Sequence, residues 1–266
     1  MEKIIKEITD LIYRAGKLIL SAHDQEEDGN VAEKNGDAAN MVTKYDVAVQ
    51  DLLISEIKKL LPEAYYIAEE KNNEDNILDN DYCFIIDPID GTANFVHDYR
   101  HSCISLALFS HSEAIFGAVY DPYLDEMFTA EKGRGAFLNG KRITVTNRGF
   151  EHSILAFGTS PYDKKTLGDR SFKICHELFM ECSDVRRCGT AALDLAYLAA
   201  GRNDMFFECL LYPWDYAAGQ LLVKEAGGII TDMDGEPLKF NRRCSVLAAT
   251  PTVYDRMLKT VKKLIK

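Results

Sequence analysis

The sequence predicts a mixed α/β fold in which an α+β part precedes an α/β part. Three observations predict it. Apolar residues recur at three- and four-residue steps near the N-terminus, short apolar segments divided by turn signals fill the middle, and strand-like and helix-like segments then alternate to the end. The length, 266 residues with 47% apolar content, suits one large domain or two fused lobes. Charged residues make up 27%, and Gly plus Pro come to 17 + 7 = 24, values that exclude a disordered, collagenous or coiled-coil chain. No Pro/Ser-rich linker and no internal repeat interrupts the chain. The expected organisation is a single unit over 1–266, with internal lobes of about 1–145 and 146–266 meeting near residue 145.

Taken in order, Ile4, Ile5, Ile8, Leu11, Ile12, Ala15, Leu18 and Ile19 describe an amphipathic helix. Residues 24–40 are polar and glycine-containing and read as a mobile loop. A second helix is expected from about Asp46 to Leu61, stopped by Pro62. Tyr65–Ala68 reads as a strand ending in Glu69 and Glu70, and Tyr82–Ile86 as another that runs into Asp87-Pro88. Strands at about 103–109, 114–120 and 125–130, with turns at Ser110–Glu113 and Asp121-Pro122, form an antiparallel meander, and Asn139-Gly140 marks a tight turn. The second part reads as strand 153–157, helix 169–181, helix 190–200, strand 204–208, helix 214–226, strand 245–249 and a closing helix 252–265.

Charge and cysteine usage narrow the function. A net charge of −11 argues against a broad nucleic-acid footprint and points to a small ligand, a metal or a protein partner. There is no stretch of 18 apolar residues, and the N-terminus lacks a secretory apolar run, so a cytoplasmic protein with no membrane association is expected. The seven cysteines contain no CxxC pair and read as buried free thiols.

The chemistry concentrates in CFIIDPIDGTANF at 83–95. A buried strand delivers Asp87 and Asp90 at its C-terminal end, where α/β folds form ligand sites. Pro88 removes a backbone donor, Gly91 permits close backbone approach, and Thr92 and Asn94 suit a helix start that favours phosphate. Carboxylates beside an anion-binding helix start describe a site for a hard cation and a phosphate. A plain surface turn would not need the apolar strand that feeds this one. Two further acidic segments stand apart. Glu69-Glu70 taken alone would be a solvated pair, and Asp215 in Pro213-Trp214-Asp215 would serve the helix dipole.

Together these segments carry a resemblance. Glu69-Glu70, DPIDGTANF at 87–95 and WDYAAG at 214–219 resemble the three metal-binding signatures of the inositol monophosphatase family. GTAALDLAYLAAG at 189–201 is similar to that family's substrate-side helix, and MVTKYD at 41–46 to its water-orienting motif. The resemblance spans about residues 5–250 and implies a layered α-β-α-β-α sandwich of the inositol monophosphatase and sugar phosphatase type. It implies two to three Mg²⁺, with Glu69, Asp87 and the Ile89 carbonyl on the first, Asp90, Asp87 and Asp215 on the second, and Glu69 helping with a weaker third. Asp46 and Thr92 would orient the attacking water. Asp90, Gly91, Thr92, Gly189, Thr190, Ala191 and Glu208 would meet the substrate.

The implied activity is a lithium-sensitive, Mg²⁺-dependent phosphomonoesterase. It would act on inositol monophosphate or a similar small polyol or sugar phosphate by in-line attack of a metal-activated water, in a homodimer. Fructose-1,6-bisphosphatase, 3′-phosphoadenosine 5′-phosphate phosphatase and histidinol-phosphate phosphatase share the metal motif and are the enzymatic alternatives. A catalytically silent regulatory member is the alternative from another class. Departures from the family pattern fall at Asn40-Met41, Ala68 and Lys71 and in the long 24–40 segment. Arg186 and Arg187 are expected to be solvated rather than to bind a second phosphate. His97 and His101 are not expected to bind Mg²⁺, which prefers oxygen donors.

Overall fold

The computed structural model describes residues 1–22, 31–33, 41–70, 73 and 77–265. The expected mobile loop at 24–40 lies outside the described residues apart from 31–33. Those three form strand β1 (Val31–Glu33), antiparallel to β2 (Met41–Thr43). The departures noted at Asn40 and Lys71 also lie outside the described residues.

Helix α1 (Glu2–Ala22) buries Ile5, Ile8, Leu11, Ile12, Ala15 and Ile19 on one face, as the spacing predicts. Helix α2 (Lys44–Leu60) begins two residues before the expected Asp46. Thr43 caps it, accepting from the Tyr45 and Asp46 amides, while the Asp46 carboxylate reaches back to the Thr43 amide.

A seven-stranded sheet follows: β3 (Tyr65–Ala68), β4 (Cys83–Asp90), β5 (Cys103–Ser110), β6 (Glu113–Asp121), β7 (Glu126–Glu131), β8 (Gly135–Leu138) and β9 (Lys141–Ile143). The strands lie in sequence order. β3 and β4 are parallel and every later pair is antiparallel. The meander is therefore present, and it extends two strands past the predicted end by a hairpin on Asn139-Gly140. Between β4 and β5 lies the short helix α3 (Thr92–Val96).

The second sheet contains β10 (Ile154–Phe157), β11 (Asp184–Arg186), β12 (Met205–Leu211), β13 (Ile229–Thr231) and β14 (Cys244–Ala249), in the order β11-β10-β12-β14-β13. Its helices are α4 (Lys164–Phe179), α5 (Ala191–Ala199), α6 (Pro213–Glu225) and α7 (Pro251–Leu264). Helix α4 starts five residues before the predicted 169, because its first turns carry exposed polar residues with no apolar period to read. The two three-residue strands β11 and β13 were not predicted.

Strand alternation builds five layers. Phe84, Ile86, Leu106 and Leu108 pack against α1 and α2, while Cys83, Ile85, Ala107 and Phe109 point the opposite way, toward α5 and α6. On the far side of α5 and α6, Ala156, Phe206, Val246 and Ala248 meet Leu195, Leu198, Tyr216 and Val223. The other face of that sheet, with Leu155, Met205, Phe207 and Leu247, packs on Ile174 and Leu178 of α4 and Val253 and Met257 of α7. The chain is an α-β-α-β-α sandwich. Small residues bring the central layer close: a Cβ on Gly117 of β6 would lie 3.0 Å from the Ala218 carbonyl oxygen of α6. Phe84 is fully buried between layers, and truncating it to Ala would cost about 3–5 kcal/mol.

All seven cysteines are free. Cys83, Cys103, Cys175 and Cys209 are buried as expected, whereas Cys182, Cys188 and Cys244 are partly exposed. Among the described residues no helix is long and apolar enough to cross a membrane.

Candidate active site

Strand register brings the acidic segments together. β3 runs parallel to β4 with Ala68 beside Ile86, and the Glu69 amide donates to the Ile86 carbonyl at 3.2 Å, so Glu69 follows directly beside Asp87. The β4–β5 ladder shifts register between Asp87 and Asp90, at the position of Pro88, which has no amide to pair. That irregularity turns the strand end. The Asp87 Oδ1 atom accepts from the Ile89 amide at 3.1 Å. Gly91 then adopts φ +91° as the residue before α3, a left-handed conformation that favours glycine. A Cβ there would lie 2.6 Å from Cγ2 of Thr190, so the start of α3 abuts the start of α5.

Asp215 arrives on the first turn of α6, its Oδ2 accepting from the Tyr212 amide at 2.7 Å. Asp90 Oδ2 accepts from the Ala192 amide of α5 at 2.7 Å. One cavity is lined by Glu69, Asp87, Ile89, Asp90, Gly91, Thr92, Gly189, Thr190, Ala191, Glu208 and Asp215, among others. Asp46 stands behind this lining and is fully buried. Its Oδ1 accepts from the Thr92 hydroxyl at 3.2 Å, and its Oδ2 from the Thr43 amide and hydroxyl at 2.7 and 2.5 Å. The residues expected at the site line this cavity except Asp46, which reaches it through the Thr92 hydroxyl.

Charge in the cavity is one-sided. Among its described lining residues, six carboxylates (Glu69, Asp87, Asp90, Asp194, Glu208 and Asp215) face one guanidinium, Arg187. Burial, then the neighbouring Glu69, Asp90 and Asp215, push the Asp87 carboxyl well above its usual range. Asp215 opens partly onto the cavity and is also pushed well up, by loss of hydration and then by Asp90 and Glu69. Burial pushes Asp90 up to about 8 although the Ala192 amide favours its ionised form. Nearby positive charge would favour the ionised forms of these acids. Among the described residues no three His, Cys, Asp or Glu side chains are gathered tightly enough to hold an ion alone.

At the other end, Glu208 is buried on β12 at a register shift in the β12–β14 ladder. Its Oε1 accepts from the Ser160 amide at 2.7 Å. The carboxylate lies over Gly158, where a Cβ would lie 1.8 Å from Oε2, so a side chain at 158 would displace the carboxylate. Burial raises its pKa to about 7, with Ser160 and Arg187 opposing.

Arg187, Asp194 and Tyr162 are among the lining residues that the sequence reading did not place at the site. Arg186 pairs with Asp184 and is exposed as expected, but Arg187 enters the cavity and donates to the Thr159 hydroxyl at 2.9 Å. Asp194 is 2% exposed with Oδ1 unpartnered, and burial raises its pKa well above the usual range. Tyr162 comes from a turn that carries no family signature. An acid within the apolar run ALDLAYLA was the available signal for Asp194. Asn94 lies in the first turn of α3, as expected, and its side chain ties that helix to two other segments, donating to the His101 and Cys188 carbonyls at 2.7 and 2.8 Å.

Comparison with known proteins gives a consistent result. The family model described as the inositol monophosphatase family matches residues 1–266. The Nus factor SuhB of Escherichia coli (strain K12) is 40% identical over 246 residues, covering 92% of this chain and 90% of that one. An inositol-1-monophosphatase of Mesorhizobium japonicum is 37% identical over 223 residues, covering 84% and 83%. The solved IMPase of Thermotoga maritima superposes with a TM-score of 0.87 at 34% identity, covering 100% of this chain and 98% of that one.

Proposed function

Because the chain belongs to the inositol monophosphatase family, we propose that it is a Mg²⁺-dependent phosphomonoesterase of inositol monophosphate or a similar small polyol or sugar phosphate. The observation that carries this reading is the convergence of Glu69, Asp87, Asp90 and Asp215, from three separate segments, on one cavity that ends at Glu208. Two to three Mg²⁺, held by Glu69, Asp87, the Ile89 carbonyl, Asp90 and Asp215, would neutralise the phosphoryl oxygens and make water a nucleophile near neutral pH.

The protein's own groups would do the rest. Thr92 would orient the attacking water through its hydroxyl oxygen, because its proton already points to Asp46 Oδ1 and the Ile89 carbonyl. Asp46 is held by Thr43 and would keep that direction fixed. The start of α3 would present its amides to the phosphate. Glu208 would accept hydrogen bonds from the hydroxyls of the leaving group, with Gly189, Thr190 and Ala191 lining the same end. No covalent phosphoenzyme is needed, and attack would be direct and in line.

A homodimer, lithium sensitivity and a cytoplasmic setting belong to the same proposal, with a small phosphorylated substrate and no nucleic-acid polymer as partner. The name Nus factor carried by the 40% identical relatives favours a second reading, a role outside hydrolysis. A panel of phosphate esters assayed with and without Mg²⁺ separates the two. Hydrolysis of a polyol phosphate supports the first, and inertness toward every ester supports the second.

A further inference from the structure

Register in the second sheet places a cation next to the site but outside its lining. The β12–β14 ladder resumes at Leu211 and Cys244 after its shift, so the neighbouring residues Tyr212 and Arg243 come side by side. The Arg243 guanidinium lies 4.5 Å from the centre of the Tyr212 ring, and Tyr212 stacks on Trp214 with ring centroids 4.6 Å apart. The segment leading to Arg243 is anchored, because the fully buried Tyr216 donates its hydroxyl proton to the Lys239 carbonyl. Arg243 does not line the acidic cavity. It lines a neighbouring one that shares Tyr212 and Trp214 with it.

The same guanidinium pairs with Asp163, the last residue of the turn Pro161–Asp163. Arginine suits this place because it can stack on a ring by its face and meet a carboxylate by its edge. The Asp163 amide donates to the Ser160 carbonyl at 2.9 Å and closes the turn. Ser160 adopts φ +44°, a left-handed backbone that a residue with a Cβ keeps only where its contacts over-determine it. Its hydroxyl accepts from the Leu210 amide at 3.1 Å, and its amide donates to Glu208 Oε1 at 2.7 Å. Among the described residues, the hydrogen bonds to the Glu208 carboxylate come from Ser160. A continuous chain of contacts therefore runs from Arg243 through Asp163 and Ser160 to Glu208.

We propose that Arg243 is a positioning residue for substrate selectivity: by holding Asp163 it fixes the Ser160 turn, and through that turn the direction of the Glu208 carboxylate. This rests on the reading of Glu208 as acceptor for the hydroxyls of a polyol phosphate. A second route would run from Arg243 through Tyr212 to Asp215. The contact there, however, is made by the Tyr212 backbone amide within the first turn of α6, and it does not need the ring that Arg243 covers.

The test uses Arg243→Ala and Asp163→Asn, which break one ion pair from opposite ends, each alone and combined with Glu208→Gln. Exchange of the Ser160 amide proton is followed by NMR, and kcat and KM are measured on inositol 1-phosphate and p-nitrophenyl phosphate with Mg²⁺. Both variants should speed exchange at Ser160 and leave the Ala192 amide, bound to Asp90, as protected as before. Each should raise KM for inositol 1-phosphate about five- to tenfold and leave p-nitrophenyl phosphate nearly unchanged. Neither should add to the loss caused by Glu208→Gln, since all three act through one carboxylate. Losses that add to that of Glu208→Gln would overturn the proposal. Equal losses on both esters would overturn it in favour of the route to Asp215. Unchanged exchange at Ser160 would overturn it whatever the kinetics. If the unaltered protein hydrolyses neither ester, faster Ser160 exchange in both variants upholds the hold on Glu208, and the phosphatase reading alone fails.

Discussion

The Thr92 hydroxyl donates a hydrogen bond to Asp46 Oδ1 at 3.2 Å, joining the start of α3 to the start of α2 across the acidic end of the cavity. Asp46 also closes the capping box of α2, so one buried carboxylate serves both a fold-defining cap and a candidate water-orienting contact. Removing the Thr92 hydroxyl alone separates the two roles. Thr92→Val should lower kcat by about 10²–10⁴-fold, the range of a lost acid–base contact, while Mg²⁺ still raises the melting temperature. An active Thr92→Val protein would remove Thr92 from the mechanism.

Cation binding should be visible without any substrate. A ligand bound only by the native state stabilises it by about 2.7 kcal/mol at a hundredfold excess over Kd. Mg²⁺ should raise the melting temperature and Asp87→Asn should blunt that rise. Trp214 is the single tryptophan and lines the cavity, so its fluorescence gives a second readout of the same titration. A melting curve indifferent to Mg²⁺ and to EDTA would argue against the carboxylate cluster as a cation site.

Selectivity should reside in Glu208. Charge-assisted hydrogen bonds to hydroxyls contribute roughly 1.5–3 kcal/mol each. Glu208→Gln should therefore lower kcat/KM on inositol 1-phosphate by about ten- to a hundredfold and barely change p-nitrophenyl phosphate, which offers no hydroxyls. Equal losses on both esters would make Glu208 a support for the Ser160 turn.

The metal-free protein should lose stability as pH rises. Burial lifts Glu208 from 4.5 to about 7 and Asp90 from 3.8 to about 8. A carboxyl whose folded pKa exceeds its unfolded value binds its proton more tightly in the native state. Its stabilising contribution is complete below the unfolded pKa and fades as pH climbs through the folded one. Melts in EDTA should therefore fall between pH 5 and pH 8, with Glu208→Gln flattening part of the fall. A melting temperature that rises over that range would contradict these shifts.

Much of this arrangement is legible in the sequence because local rules carry it. The apolar strand Cys83–Ile86 must be buried, and a chain that leaves it through Asp87-Pro88-Ile89-Asp90-Gly91 has to present its acids at the strand's C-terminal end. The helices at both termini show their periods openly. What escapes has no local signal. β11 and β13 are three residues long and exist only through the partners they pair with. Arg187 reads as a surface charge until the fold brings Thr159 and Glu208 beside it. Tyr162 owes its place to contacts at 208, 210 and 243, positions a linear reading cannot connect to 162. The Asp90–Ala192 hydrogen bond spans 102 residues in the same way.

The central claim, that the convergent acids make this chain a Mg²⁺-dependent phosphatase, is tested most directly by phosphate release from inositol 1-phosphate with Asp90→Asn beside the unaltered protein at saturating Mg²⁺. Asn keeps the shape of Asp90 but cannot supply the anionic charge a hard cation needs. The account predicts release by the unaltered protein, suppression by EDTA, and no release by a folded Asp90→Asn protein. Equal turnover by the two proteins at saturating Mg²⁺ would contradict it.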